Sequence, residues 1–285
     1  MDEKRILIIG ANGQLGTALR EKYPSALAVS SSDLDITNAE QLANYDWTKV
    51  DNIINAAAYT NVDRAETAEG RVAAWQVNAS ATANLAKIAT AFDLTLIHIS
   101  TDYVFDGTQT IHFEDEMFSP LGVYGQSKAA GDLAVTLTPK HYILRTTWVI
   151  GEGKNFVRIM LGLGAKAISP SVVSDQVGRL TFTGELADII DHMIKSGAPY
   201  GIYNATNQGE PASWADITRL IFSNSGYSDL AVKDLSTEDY FREKPEAAPR
   251  PLNSVMDLTK LSSTGFIGKD WHDTLTTYIQ KELQT

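Results

Sequence analysis

At 285 residues the chain exceeds a usual single domain, which predicts one large domain and a smaller lobe. Its 44% hydrophobic and 21% charged residues are ordinary for a globular protein, no apolar run is long enough to span a bilayer, and zero cysteines exclude disulfides and thiolate metal sites. A net charge of −11 argues against a nucleic-acid or anionic-membrane surface, yet leaves room for one anionic small molecule held at a helix N-terminus and by an arginine or two.

Residues 5–9 are short, apolar and flanked by charge and glycine, the pattern of a buried parallel strand. The run is too short for a signal-peptide core, so the cytoplasm is the expected compartment. Residues 14–23 read as a helix. Between strand and helix lies Gly10-Ala11-Asn12-Gly13-Gln14-Leu15-Gly16. A plain glycine-rich turn has the same composition, but this context is the one a phosphate loop requires. The glycines allow tight turning and close backbone approach, and the helix N-terminus favours a pyrophosphate.

Residues 27–29 form a second strand ending in Ser30-Ser31-Ser32-Asp33. An acid at this tip usually holds the adenosine ribose hydroxyls of NAD. Here the tip is serine and Asp33 falls late; Ser30 can bond a 2′-phosphate, although no Arg or Lys follows. The expected cofactor is NADPH, with NADH tolerated. Residues 50–55 are a third strand opening into Asn55-Ala56-Ala57-Ala58-Tyr59-Thr60. Small side chains at a strand's carboxyl end let a cofactor lie against backbone, and close packing explains them equally well. Residues 63–69 and 71–92 read as helical and alanine-rich. Asn78 interrupts the apolar face, as a residue holding a backbone group or water would.

Residues 94–99 are a fourth strand, leading into Ser100-Thr101-Asp102-Tyr103-Val104-Phe105-Asp106-Gly107. Residues 108–119, with Glu114, Asp115 and Glu116, read as a solvated loop. Next comes Tyr124-Gly125-Gln126-Ser127-Lys128. A tyrosine and a lysine four apart share a helix face, where the ammonium can favour the ionised phenol and let it exchange a proton near neutral pH. Taken alone, this spacing more often marks a solvated face. Residues 141–149 are a further strand. The alternation of strands and helices predicts an α/β fold with a doubly wound parallel sheet. Residues 1–150 are expected to form a dinucleotide-binding domain, with later returns of the chain, and 151–285 mainly a smaller α/β lobe. In that lobe 172–176 and 203–205 read as short strands, 185–195 and 213–223 as helices, and 237–251 as a loop over the cleft.

Glycine loop, Thr101 hydroxyl and the Tyr124/Lys128 pair, in that order, resemble the short-chain dehydrogenase/reductase superfamily. More narrowly, residues 100–107 and Pro120-Leu121-Gly122-Val123-Tyr124-Gly125-Gln126-Ser127-Lys128 resemble the dTDP-4-dehydrorhamnose reductases. So do Arg145-Thr146-Thr147-Trp148-Val149, Asn155-Phe156-Val157, Asp175-Gln176-Val177-Gly178, Gly201-Ile202-Tyr203-Asn204 and Arg250-Pro251-Leu252-Asn253-Ser254. The combination is specific where each match alone is not.

The resemblance implies hydride delivery from a reduced nicotinamide to C4 of dTDP-4-keto-L-rhamnose. Gly10, Asn12, Gly13, Gln14, Leu15, Gly16, Ser30, Asp35, Ile36, Ala56, Ala57 and Ala58 would face the cofactor, Asp35 and Ile36 flanking its adenine. Tyr124 would donate the proton, Lys128 would lower its pKa and bond the nicotinamide ribose, and Thr101 would polarise the carbonyl. Asp102 and Tyr103 would contact the sugar. Trp148 would wall it, although a core tryptophan reads the same. The second lobe would hold the dTDP end, with Asn155 and Phe156 facing the cleft. Arg250 is either a bidentate diphosphate partner or a surface arginine beside prolines.

Two departures matter. Leu180-Thr181 stands where the family commonly has Pro-Thr. Thr17-Ala18 stands where some relatives carry an acidic metal ligand at a dimer contact, so no metal is expected, and the chain would be a monomer or homodimer. A 4,6-dehydratase is disfavoured because Asp102-Tyr103 lacks the second carboxylate that elimination uses. A 4-ketoreductase for another dTDP-deoxysugar stays open, as does a non-catalytic subunit resembling the regulatory subunit of methionine adenosyltransferase. The intact Thr101, Tyr124 and Lys128 favour an enzyme.

Overall fold

The computed structural model describes residues 2–284. Ile6–Ile9 (β1) is buried at all four positions, as a strand covered on both faces must be. Ile6 and Ile8 join Leu15 and Leu19 of the helix Gln14–Lys22 (α1) in one core layer, while Leu7 and Ile9 join Leu85 and Ala89 in the other. Leu27–Val29 (β2) lies on one side of β1 and Asn52–Asn55 (β3) on the other. Thr95–Thr101 (β4), His141–Thr146 (β5) and Gly201–Asn204 (β6) continue outward from β3.

Every pairing in this six-stranded sheet is parallel. The order β2-β1-β3-β4-β5-β6 reverses direction between β1 and β3. Ligands of doubly wound sheets bind at such a point, outside the carboxyl ends of the strands. The register pairs Ile9 with Asn55 and Thr101 with Thr146, so the residues that follow these strands emerge at one edge.

Thr82–Ala91 (α2), entered through the π-helical turn Trp75–Ala81, and Val123–Val135 (α3) cover the Leu7/Ile9 face. A second lobe packs Phe156–Ala165 (α4), Trp214–Asn224 (α6) and Trp271–Leu283 (α7) around their own core, with the Trp271 side chain fully buried. Between α4 and α6 the chain returns to the first lobe. Leu186, Ile189 and Ile190 of Thr183–Ser196 (α5) pack with Leu15 and Leu19 of α1, and β6 extends the main sheet.

Two stretches read as loops differ. Residues 237–251 begin with the helix Thr237–Glu243, nucleated by the Ser236 hydroxyl accepting from the Asp239 amide. The 108–119 segment is anchored rather than merely solvated. His112 is fully buried between Glu116 and the Asn253 carbonyl, and the Glu114 carboxylate accepts from the Asn204 amide of β6. Acidic composition suggested solvent; a partner from a distant strand overrides it.

Candidate active site

A cavity of about 580 Å³ opens at the carboxyl ends of the central strands. Asn12, Gly13, Gln14 and Leu15 reach it from the turn after β1, and Ala56, Ala57 and Ala58 from the turn after β3. Thr101, Asp102 and Tyr103 come from the end of β4, Tyr124 and Lys128 from α3, and Trp148 from the chain after β5. An adjoining cavity of about 390 Å³ shares Asn12, Gly13 and the three alanines and adds Gly10, Ser30, Asp35 and Ile36. A third, of about 320 Å³, is lined by Tyr103, Phe156, Gln176, Trp214, Tyr240 and Arg250. Tyr103 borders both the first and the third.

The loop glycines divide their work. Gly10 has φ +85°, and a Cβ on it would stand 2.7 Å from the Ala57 nitrogen; one on Gly16 would stand 2.2 Å from the Gly10 oxygen. Both are needed to close the turn on itself. Beyond a Cβ on Gly13 the nearest atom is 3.4 Å away, and Gly13 caps α1 with no side-chain hydrogen bond. The first amides of α1 therefore face the cavity with space above them, which suits a phosphate. Two cavities sharing this loop fit an extended dinucleotide. Asn78 braces the far wall: its amide accepts from the Tyr59 nitrogen at 2.8 Å and donates to the Tyr59 oxygen and the Ser127 hydroxyl. That ties the turn after β3 to the helix carrying Tyr124, and it sits in a π-turn, a frequent companion of functional sites.

Lys128 is 2% exposed. Its ammonium donates to the Ile99 carbonyl at 2.6 Å and lies 3.3 Å from His98 Nε2. Burial draws its pKa down to about 8, against the opposing charge of Asp132. His98 is itself held well below the usual imidazole range, by burial and then by Lys128. Its Nδ1 lies 3.1 Å from Asn55 Nδ2. Asp132 Oδ2 accepts from Arg145 Nε at 3.3 Å, and the Arg145 guanidinium lies over the Phe105 and Phe118 rings, 5.1 Å from each centroid.

The helix spacing suggested an ammonium against the phenol, lowering its pKa. Here the ammonium takes the Ile99 carbonyl, since a buried charge seeks the strong acceptor within reach. The Tyr124 pKa is instead pushed up, first by burial and then by the Asp102 charge, with Thr101 opposing. A phenol so placed keeps its proton at neutral pH and is a donor rather than a base.

Thr101 donates its proton to Asp102 Oδ1 at 2.9 Å and accepts from the Tyr103 amide at 3.2 Å. Asp102, expected against the sugar, is 2% exposed, with its other oxygen taken by the Ser254 hydroxyl. Trp148 has φ +43°, rare for a large side chain, and is held by stacking on Trp214 at 3.8 Å. Phe156 leans on the same Trp214 ring. Arg250 is fixed by Asp63 at 2.8 Å and by the Ala248 carbonyl.

Asn155 does not face the cleft. Its Oδ1 caps α4 through the Arg158 amide, and its Nδ2 donates to the Gly151 carbonyl and the Tyr278 hydroxyl. An Asn before an apolar helix is a cap signal, and here the cap wins. Sequence reading missed His98, Asp132, Trp214 and Ser254. Two left a trace: Asp132 stands four residues beyond Lys128 on the Tyr124 face, and Ser254 closes the family-like stretch that begins at Arg250.

A glycine turn and a Tyr124/Lys128 pair around one pocket, on an all-parallel sheet, mark the short-chain dehydrogenase/reductase class of oxidoreductases. Within it, the chain belongs to the RmlD substrate binding domain family, whose model matches residues 4–284. A dTDP-4-dehydrorhamnose reductase of Aggregatibacter actinomycetemcomitans is 40% identical, over 95% of this chain and 97% of that relative. A solved dTDP-4-dehydrorhamnose reductase of Clostridium acetobutylicum is 36% identical with a TM-score of 0.90, covering 98% of this chain and 99% of its own. One from Bacillus anthracis, solved in complex with NADP, is 34% identical with a TM-score of 0.86 over 99% of each chain.

Proposed function

We propose that this chain reduces the C4 ketone of dTDP-4-dehydro-L-rhamnose to give dTDP-L-rhamnose, with NADPH as cofactor. The observation that carries the chemistry is the meeting of Tyr124, Lys128 and Thr101 with Gly13 and the Ala56-Ala57-Ala58 turn around one cavity. When bound, NADPH supplies the hydride. Residues 10–16 hold its pyrophosphate, Ser30, Asp35 and Ile36 its adenosine end, and Lys128 the nicotinamide ribose. Tyr124 donates a proton to the C4 oxygen as negative charge develops there. The Lys128 ammonium, mostly charged at neutral pH, steadies that charge. Thr101 bonds the same oxygen, Tyr103 and Trp148 border the sugar, and Phe156 and Arg250 hold the nucleoside diphosphate. Among the described residues no helix is long and apolar enough to cross a membrane. We place the reaction in the cytoplasm because both small molecules are phosphorylated and do not cross membranes unaided. The oligomeric state, monomer or homodimer, is a matter for sedimentation.

The test is NADPH oxidation with dTDP-4-dehydro-L-rhamnose and identification of dTDP-L-rhamnose as product. Tyr124→Phe keeps the ring and removes the donor, so kcat falls by roughly 10²–10⁴-fold while NADPH affinity persists. Near-normal turnover by that variant refutes the assignment of Tyr124. A higher kcat/KM for another dTDP-4-keto-deoxysugar would move the substrate, not the chemistry.

A further inference from the structure

We infer that Ser254 is a positioning residue for the ketone reduction: it holds the Asp102 carboxylate and, through it, the orientation of the Thr101 hydroxyl. The inference rests on the reductase reading above. Ser254 is 3% exposed, and its hydroxyl donates to Asp102 Oδ2 at 2.5 Å, a contact between residues 152 apart in the chain. The opposite oxygen, Oδ1, receives the Thr101 proton at 2.9 Å.

A hydroxyl has one proton to give. The ionised Asp102 carboxylate, by accepting that proton, fixes the Thr101 oxygen in place, whereas a neutral Asp102 would itself donate to that oxygen and turn it; the carboxylate is therefore the form that positions Thr101, and how tightly it holds governs how readily the proton passes to the C4 oxygen. A second donor on the carboxylate weakens its hold on the first and prevents rotation about the Cβ–Cγ bond. Ser254 is the residue built to do both.

Ser254 is itself held in place. Its amide donates to the Val177 carbonyl at 2.7 Å, and the neighbouring Asn253 carbonyl lies 3.1 Å from Nε2 of the buried His112. The His112 ring stacks on Phe105 with centroids 4.8 Å apart, and its other nitrogen meets Glu116 at 2.8 Å. The segment that completes the active-site carboxylate is therefore clamped from both sides, and a second-lobe strand and the 108–119 loop report their seating to Thr101.

The groups around Asp102 decide the sign of a pH effect. Burial raises its pKa; the Ser254 and Thr101 hydrogen bonds and the His112 charge oppose that rise. The Tyr103 and Tyr124 phenols also face it, and Arg250 acts on Tyr103. Removing the Ser254 donor leaves the carboxylate easier to protonate, so the acidic limb of activity moves to higher pH.

The experiment compares wild type, Ser254→Ala, Asp102→Asn and the double variant, each with NADPH and dTDP-4-dehydro-L-rhamnose. Ser254→Ala is expected to lower kcat about tenfold to a hundredfold, to leave the NADPH Kd within about twofold, and to raise the pH of the acidic limb. In the Asp102→Asn background it is expected to cost little more, because the carboxylate it serves is gone. An unmoved acidic limb, or an equal loss of kcat in both backgrounds, overturns the inference. The same four proteins give a thermal-unfolding cycle that needs no turnover. If wild type fails to reduce the sugar, the reductase reading falls on its own, and an additive unfolding cycle then overturns the Ser254–Asp102 linkage separately.

Discussion

Gly10, Gly13 and Gly16 illustrate how much one residue's surroundings decide. At Gly10 and Gly16 any side chain collides with backbone, whereas a Cβ at Gly13 meets only the Gly10 oxygen, at an ordinary contact distance of 3.4 Å. Gly13→Val is therefore expected to fold with a near-normal Tm and to bind NADPH at least tenfold more weakly in a titration, while Gly16→Ala loses stability first. Unchanged NADPH affinity in folded Gly13→Val would remove the loop from the cofactor site. Asp33 makes a related point. Its spacing placed it beyond the tip of β2, but its carboxylate folds back onto the Ser30 amide at 2.9 Å and hydroxyl at 2.6 Å. These bonds lower its pKa, so it is charged at neutral pH. Among the described residues lining the adjoining 390 Å³ cavity there is no Lys or Arg. With NADPH as the proposed cofactor, removing the like charge near a 2′-phosphate should favour it over NADH. Asp33→Ala is expected to raise the NADPH/NADH ratio of kcat/KM by up to about tenfold, ~1.4 kcal/mol. A ratio unmoved by the change shows that Asp33 has no part in the choice.

At the scale of an element, α3 works as a charge ladder. Tyr124, Lys128 and Asp132 stand at intervals of four on one face, and the helix also buries Val123, Ala129 and Val135. An ammonium in such a setting is costly, and it survives here because Asp132 raises the Lys128 pKa against burial. The ammonium is the working form. Because its pKa is near 8, kcat/KM, which reports the free enzyme, should decline as pH rises through about 8. Asp132→Asn removes the charge that holds this pKa up, so the alkaline limb should move to lower pH. A limb that stays in place, or moves up, contradicts the ladder. The variant also strips the buried Arg145 of its carboxylate, a loss on the order of 3–5 kcal/mol, so the profile is to be taken at a temperature where circular dichroism shows it folded.

Across the whole molecule, the two lobes meet through side chains rather than a linker. Arg250 reaches Asp63, 187 residues away, while bordering the 320 Å³ cavity of the second lobe. It lines neither cavity assigned to the cofactor. Arg250→Leu is therefore expected to raise KM for the dTDP-sugar about tenfold to a hundredfold and to leave the NADPH Kd unchanged. Its ion pair with Asp63 is half exposed on the acid's side, so unfolding should change by less than about 1 kcal/mol. A large fall in Tm with unaltered KM would make Arg250 a strut between lobes rather than a ligand of the diphosphate.

The sequence by itself determined what depends on neighbours in the chain. Apolar runs and their flanks set β1, α1 and the alternation behind the parallel sheet; glycine spacing set the turn after β1; a four-residue interval set Tyr124 and Lys128 on one face. Tertiary structure alone decided which partner each buried polar group takes. The Lys128 ammonium chose the Ile99 carbonyl, the Asn155 amide found the Tyr278 hydroxyl, Asp102 was claimed by Ser254, and Trp148 found Trp214. A buried donor or acceptor must be satisfied by whatever lies within about 3 Å, and folding brings that group from tens to hundreds of residues away. Local pattern carries no record of that distance, and so the chemistry's residue types were legible while their working geometry was not.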